Sequence, residues 1–302
     1  MVDTFAVLGL ILSAIAGNEA VQGNLERGMD FMEVDPLWQQ IQQTGRLNGR
    51  LVHYRETLES TNSLALEMAK GGAEAGTVWV ADTQTAGRGR LGKVWQSPKG
   101  TGLYCTVLLR PLVPLSQLAR VTLAAGLATA HAIDEISGLR SQIKWPNDVL
   151  LQGRKVAGVL VECQMSGGEE PVLALGVGLN LTTSLEQFPL ELRSRVTSLL
   201  IASGKSIGRG LMLGVLLSWL DRLILRLEQG DFVGILEGWR TKDFTLQKSL
   251  SWLTTEGRTV HGVSLGPDQE GLLVIRDSAG HQHHVLSGDL DLDTNTLTGY
   301  FP

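Results

Sequence analysis

QIKWPNDVLLQGRKVAGVLVEC, residues 142–163, is the stretch whose reading decides the fold. Its short runs rich in Val, Ile and Leu are divided by a QGR turn, and PVLALGVGLNLT (171–182) follows an SGGEE turn. Such β-prone runs bounded by turn formers read as meandering antiparallel strands. Outward from it, the Ser60-Thr61-Asn62 cap opens a helix through SLALEMAKG that stops at Gly71-Gly72. TVWVADT (77–83) alternates and is β-branched, and LYCTVLLRP (103–111) is a second strand ended by Pro111. SQLARVTLAAGLATAHAIDEIS (116–137) has helical spacing, an Ala- and Leu-rich composition that predicts burial, and Gly138 to end it. LMLGVLLSWLDRLILRLEQ (211–229) is amphipathic and stops at Gly230. Helices alternate irregularly with hairpins, so the fold class is α+β rather than doubly wound α/β.

From about Lys248 the texture changes to SLSWLTTEG, RTVHGVSLGPDQEG, LLVIRDSAG and HQHHVLSGDLDL, short strands with glycine turns that predict a small β-barrel. The expected organisation is an N-terminal extension (1–49), a large domain (50–247) and a small barrel (248–302). A chain of 302 residues suits one large domain with a smaller companion.

Hydrophobic residues make up 43% and charged residues 19%, and the formal net charge is −5, which argues against a protein that coats nucleic acid. Residues 1–35 carry Asp3, Glu19, Glu26, Asp30, Glu33 and Asp35 against Arg27 alone, which is the whole acidic excess. FAVLGLILSAIAG (5–17) imitates the apolar part of a signal peptide, yet Asp3 precedes it, Lys and Arg do not, and it is too short to span a bilayer. It reads as a short packed helix, a disordered extension, or sequence upstream of a true start at Met29 or Met32; the last two are preferred. Cys105 and Cys163 lie in apolar runs and read as buried, reduced thiols of a cytoplasmic protein.

Four segments are polar and glycine-rich among these apolar strands: Ser60-Thr61-Asn62, Gln84 with GRGRLGKVW (87–95), KWPND (144–148) and GRKVAGVLVE (153–162). Glycines let backbone N–H groups turn toward an anion, and Arg88 and Arg90 add planar, permanently charged forks. Ser60, Thr61, Asn62 and Gln84 suit a ligand with amide-like edges, while Arg88, Arg90, Lys144 and Lys155 suit an anion. Taken singly, these segments also read as a basic surface turn, a helix cap and a tight turn, and Trp95 as core. His281, His283 and His284 lie between turn glycines, with no Cys or carboxylate at ligand spacing, and read as a solvated hairpin.

In this order GRGRLGKVWQSPKGTGLY, KWPNDVLLQGRKVAGVLVE, LGVGLNL and the tail GVSLGPDQEGLLV…LSGDL closely resemble the biotin protein ligases over about residues 50–300. The resemblance implies a catalytic domain related to class II aminoacyl-tRNA synthetases and biotin/lipoate ligases, followed by an SH3-like β-barrel. It implies two steps: biotin attacks the α-phosphate of MgATP to give biotinyl-5′-AMP, and a lysine of a biotin carboxyl carrier protein domain then takes the biotinyl group. ATP and biotin are substrates and Mg²⁺ enters with ATP. By the resemblance, Arg88, Arg90 and Lys155 are catalytic cations. Ser60, Thr61, Asn62, Gln84, Arg88, Gly89, Arg90, Lys155, Gly158 and Gly178 hold biotin or its adenylate, with Trp95, Lys144, Asn147, Asp148 and Asn180 on the nucleotide. Trp95 would pack on adenine, and the glycines at 87, 89 and 92 would let the loop fold over the adenylate.

The acidic region ahead of residue 50 speaks against the DNA-binding arm of some family members, and neither DNA nor a membrane is expected as a partner; a homodimer stays open. The competing readings are a lipoate or octanoate ligase or transferase on the same fold, and a silent biotin-binding protein. A thioester-forming transferase needs an accessible cysteine, and a silent protein could spare Arg88, Arg90 and Lys155.

Overall fold

The computed structural model describes residues 35–110, 114, 117–165, 171–253, 259–286 and 290–292. The apolar run at 5–17 and the other residues ahead of 35 lie outside the described residues.

In chain order the elements are α1 (Pro36–Thr44), β1 (Arg46–Leu47), β2 (Arg50–Leu58), α2 (Thr61–Lys70), β3 (Val78–Gln84), β4 (Gly102–Leu109), α3 (Leu118–Ser137), β5 (Gln142–Lys144), β6 (Asp148–Leu151), β7 (Arg154–Gln164) and β8 (Val172–Asn180). Then come α4 (Leu199–Ser203), α5 (Arg209–Glu228), α6 (Phe232–Arg240), β9 (Ser249–Leu253), β10 (Thr259–Pro267), β11 (Leu273–Arg276), β12 (Gln282–Val285) and β13 (Leu290–Leu292). β1 to β8 form one sheet in the order β1-β2-β3-β4-β8-β7-β6-β5, antiparallel except for the parallel pair β2–β3. The QGR turn joins β6 to β7 with positive φ at both Gln152 (51°) and Gly153 (73°), the backbone twist that closes a two-residue hairpin.

The two faces of the sheet differ. Val107, Leu175 and Val177 join the main core with α3 and α5, where Leu123, Ala124, Leu127, Ala128, Met212, Leu213 and Leu216 are fully buried. Alanines let α3 approach the sheet closely, and Gly138 ends it in the left-handed conformation (φ 74°). On the opposite face α2 packs Ala65 against Trp79, Leu108, Val172 and Ala174. Along β8 that face reads Val172, Ala174, Gly176, Gly178, Asn180. The strand is apolar under α2, bare where the helix ends, and polar at its tip.

β1 joins the large sheet and α1 packs against α5 and β2, so the boundary expected at residue 50 falls inside a hairpin. β1 pairs with β2 through Leu47 and Arg50, and α1 buries Trp38 and Ile41. Asp35 caps two helices: Oδ1 accepts the Trp38 N–H (3.0 Å) and Oδ2 the Gly210 N–H (2.7 Å) at the start of α5.

β9 to β13 form a second antiparallel sheet in the order β12-β11-β10-β9-β13. The outer strands β12 and β13 do not pair among the described residues, so the expected barrel is a five-stranded sheet, consistent with an SH3-like domain, that stays open. It packs on the large unit. The Trp145 indole N–H donates to Gly271 O (3.1 Å), Arg240 donates to Pro267 O (2.8 Å), and Arg120 pairs with Glu270 (2.9 Å).

Candidate active site

All fifteen candidate residues line a single cavity of about 760 Å³ on the α2 face of the large sheet: Ser60, Thr61, Asn62, Gln84, Arg88, Gly89, Arg90, Trp95, Lys144, Asn147, Asp148, Lys155, Gly158, Gly178 and Asn180. Its floor is backbone, because Gly158 on β7 faces Gly178 on β8 in register. The Trp95 ring lies on this bare patch. A Cβ on Gly158 would come within 3.1 Å of Trp95 Cζ3, and one on Gly178 within 2.6 Å of its Nε1. The Trp95 indole N–H is buried without a hydrogen-bond partner among the described residues.

One end of the cavity is neutral. Ser60 caps α2 by accepting the Ser63 N–H (3.4 Å). Gln84 Oε1, at the end of β3, accepts from the Thr61 backbone N–H (2.9 Å) and hydroxyl (3.2 Å), while its Nε2 donates to Ser97 Oγ (3.0 Å). These bonds fix the orientation of the Gln84 amide. Asn62 accepts from Thr106 Oγ (2.6 Å) and donates to Leu160 O (3.2 Å) and Glu162 Oε2 (2.8 Å). Ser60, Thr61 and Asn62 are each at most 4% exposed. Leu160 supplies apolar wall.

The other end is cationic. GRGRLGKVW forms a small hairpin in which Trp95 N–H donates to Gly87 O (2.9 Å) and Gly89 N–H to Lys93 O (2.6 Å). A Cβ on Gly87 would press on Trp95 O and Ser97 Oγ, so this close approach requires glycine. The backbone donors expected to turn toward an anion are thus engaged within the hairpin at 89 and 95, and side chains carry the positive charge into the cavity. Arg88 pairs with Glu162 (2.9 Å), Arg90 donates to Asn147 Oδ1 (3.4 Å), and Lys155 Nζ pairs with Asp148 (2.6 Å) and lies 5.3 Å from the Trp95 ring centre. Asn147 is held by its Nδ2 donating to Val159 O (2.7 Å), and Asn180 by its Nδ2 donating to Thr197 O (3.0 Å).

Phe188, Leu192, Arg195, Val196 and Phe244 also line the cavity and were not among the candidates. The 185–198 segment reaches it because Lys155 bonds the Arg195 and Thr197 backbones on either side of Val196 (2.8 Å each). No motif in the sequence marks that bridge. Glu162 was also passed over, although alternation along β7 from Gly158 places it on the cavity face.

Cys105 is buried and its thiol is pushed up to about 12 by burial, whereas Cys163, read as buried, is exposed on β7. Both are unpaired. A thiol held neutral at physiological pH is a poor nucleophile, so Cys105→Ser is expected to keep at least half of wild-type turnover; loss of turnover in the folded variant would restore a thioester route. Among the described residues no group of three His, Cys, Asp or Glu side chains could hold a metal. His283 pairs with Asp277 (2.9 Å) and His284 with Asp268 (2.7 Å) on the far sheet; the bond from His283, with the backbone N–H groups of His281 and Ala279, holds the Asp277 carboxyl down to about 2.

Residues 54–180 match the biotin/lipoate A/B protein ligase family, a class of ligases. The bifunctional ligase/repressor BirA of Bacillus subtilis is 36% identical over 245 residues, covering 81% of this chain and 74% of the relative. The biotin–[acetyl-CoA-carboxylase] ligase of Paracoccus denitrificans is 34% identical over 228 residues, 74% of this chain and 93% of its own. The biotin protein ligase from Aquifex aeolicus in complex with biotin and ATP has a TM-score of 0.69 at 29% identity, covering 80% of this chain and 98% of its own. The chain belongs to the biotin protein ligase family.

Proposed function

We propose that this chain is an ATP-dependent ligase that activates biotin as biotinyl-5′-AMP and transfers it to a lysine of the biotin carboxyl carrier domain of acetyl-CoA carboxylase or a related biotin enzyme. One observation carries the reading: a single cavity joins a neutral, amide-lined end (Ser60, Thr61, Gln84) to a cationic end (Arg88, Arg90, Lys155) across a glycine floor. Its volume suits an acid and a nucleotide bound side by side.

In the first step a biotin carboxylate oxygen forms a bond to the α-phosphorus as the bond to pyrophosphate breaks, pyrophosphate leaving with the electron pair. Two anions must meet, so Arg88, Arg90 and Lys155 offset their repulsion and stabilise the charge of the crowded phosphorus. Trp95 offers a flat face to adenine, with Asn180 and Lys144 beside it. Magnesium would come in with the nucleotide, held mainly by its phosphates and by water, and would supply further positive charge there; Asp148 is the candidate carboxylate on the cavity wall. In the second step the neutral carrier lysine amine attacks the acyl carbon, AMP leaves with the electron pair of the broken bond, and the amine proton passes to solvent. No covalent enzyme intermediate is required.

The carrier domain is the macromolecular partner. The acidic residues ahead of position 50 repel nucleic acid. No helix of the described residues is long and apolar enough to cross a membrane. Two unpaired cysteines fit a reducing compartment, and we assign the enzyme to the cytoplasm.

The deciding experiment is ATP–pyrophosphate exchange with biotin, lipoate and octanoate offered separately, which isolates the first step without the acceptor. Exchange with biotin alone is expected. Exchange driven by lipoate or octanoate would reassign the neutral end of the cavity, and none with any acid would leave a binding protein.

A further inference from the structure

Glu162 joins the two ends of the cavity through one oxygen. Its Oε2 accepts from Asn62 Nδ2 (2.8 Å), at the buried neutral end, and from Arg88 Nη2 (2.9 Å), on the glycine/arginine hairpin. Asn62 is held from the other side by Thr106 (2.6 Å), so the chain Thr106–Asn62–Glu162–Arg88 runs from β4 across β7 to the hairpin. We propose that Glu162 is a positioning residue for the adenylation step: it holds the Arg88 guanidinium at the cavity mouth in the orientation in which an incoming anion meets it. The proposal rests on the ligase reading above.

The chemistry of the contact supports this. A guanidinium carries five N–H groups, and Glu162 engages Nη2, leaving donors for a carboxylate or phosphate. The Arg88 side chain is 45% exposed, and a long exposed side chain without an anchor populates many rotamers; the anchor removes that freedom before the ligand arrives. A second effect opposes the first, because a carboxylate beside an anion site repels the anion. At 25% exposure Glu162 is only partly screened, so the two effects predict opposite outcomes for a neutral replacement. If repulsion dominates, removing the charge tightens biotin. If positioning dominates, it slows adenylation.

Glu162→Gln separates them, because an amide oxygen still accepts from Asn62 while the charge that pairs with Arg88 is gone. In biotin-dependent pyrophosphate exchange we expect kcat to fall roughly 3–30-fold, with a smaller change in the KM for biotin. In an Arg88→Gln background the same replacement should add little, since the group it positions is already absent. Glu162→Asp keeps the charge but withdraws it by one methylene. It should lose kcat as well, and it serves if the amide variant folds poorly. Trypsin cleavage after Arg90 in the ligand-free protein gives a readout independent of activity, and Glu162→Gln should quicken it. Full, multiplicative losses in the Arg88→Gln background, tighter biotin with unchanged kcat, or unchanged cleavage would each overturn the proposal. If the wild-type protein shows no biotin-dependent exchange, the ligase reading fails separately, and the cleavage rates still decide whether Glu162 fixes the hairpin.

Discussion

Lys155→Ala is expected to lower biotin-dependent pyrophosphate exchange ~10²–10³-fold, the usual cost of removing one donor aimed at developing charge. Lys155 is the cation nearest the glycine floor, with Nζ 3.3 Å from where a Gly158 Cβ would stand. Asp148 on the neighbouring strand holds it at 2.6 Å, and this pairing keeps the ammonium over the floor rather than in solvent. The backbone at 155 is tied independently to Arg195 and Thr197, so the variant should keep its strand and melt within a few degrees of wild type. Steady-state kinetics read the role directly. A fall in kcat places the charge on the transition state, whereas a rise in the KM for ATP at unchanged kcat would reduce Lys155 to a ground-state contact.

Gly176→Ala is the second large effect. A Cβ there would overlap Asn62 Oδ1 and stand 2.9 Å from its Cγ and 3.1 Å from its Nδ2. Asn62 is 3% exposed and held on both sides, so it can yield only by breaking the bond from Thr106 or the one to Glu162. Overpacking of this kind costs about 1–3 kcal/mol of stability. Leaving one buried polar group unpaired costs a similar amount, which should appear as a tenfold or greater loss of biotin affinity. Calorimetric titration with biotin and thermal melting together check both. Unchanged biotin affinity would mean that Asn62 is not part of the acid-binding end.

Much of this was legible in the chain, for identifiable reasons. The Ser60 cap, the strand β3 and the helices α3 and α5, which stop just ahead of Gly138 and Gly230, are set by local chemistry that tertiary contacts had no cause to override. Gly158, Gly178 and Asn180 share the cavity face through the alternation of β7 and β8, and a bulge in β7 opposite Val149 and Leu150 lets Lys155 face it as well. α1 was missed because PLWQQIQQT shows only Leu37, Trp38 and Ile41 as apolar residues. Its burial comes from packing against α5 and from a carboxylate that caps a helix 175 residues away. α6 escaped for a related reason: a nine-residue helix following Gly230 and Asp231 carries little periodic signal. The parallel pairing of β2 with β3, the cavity wall from Phe188 to Val196, and the exposure of Cys163 are non-local, and no residue pattern within those segments announces them. The expected barrel was right in its strands and in their antiparallel sense; its closure depends on a contact between the first and last edges that strand spacing does not encode.

The bond from the Trp145 indole to Gly271 O has a thermodynamic consequence. Trp145 is a wall of the cavity and Gly271 is a turn of the far sheet, while Leu250, Trp252, Leu273, Ile275 and Val285 of that sheet belong to the same apolar core as α3 and α5. Opening either part exposes apolar surface of the other and strands a buried donor. The two sheets are therefore expected to unfold as one cooperative unit, with the stability of the C-terminal strands being also that of the catalytic wall; a single calorimetric transition checks it.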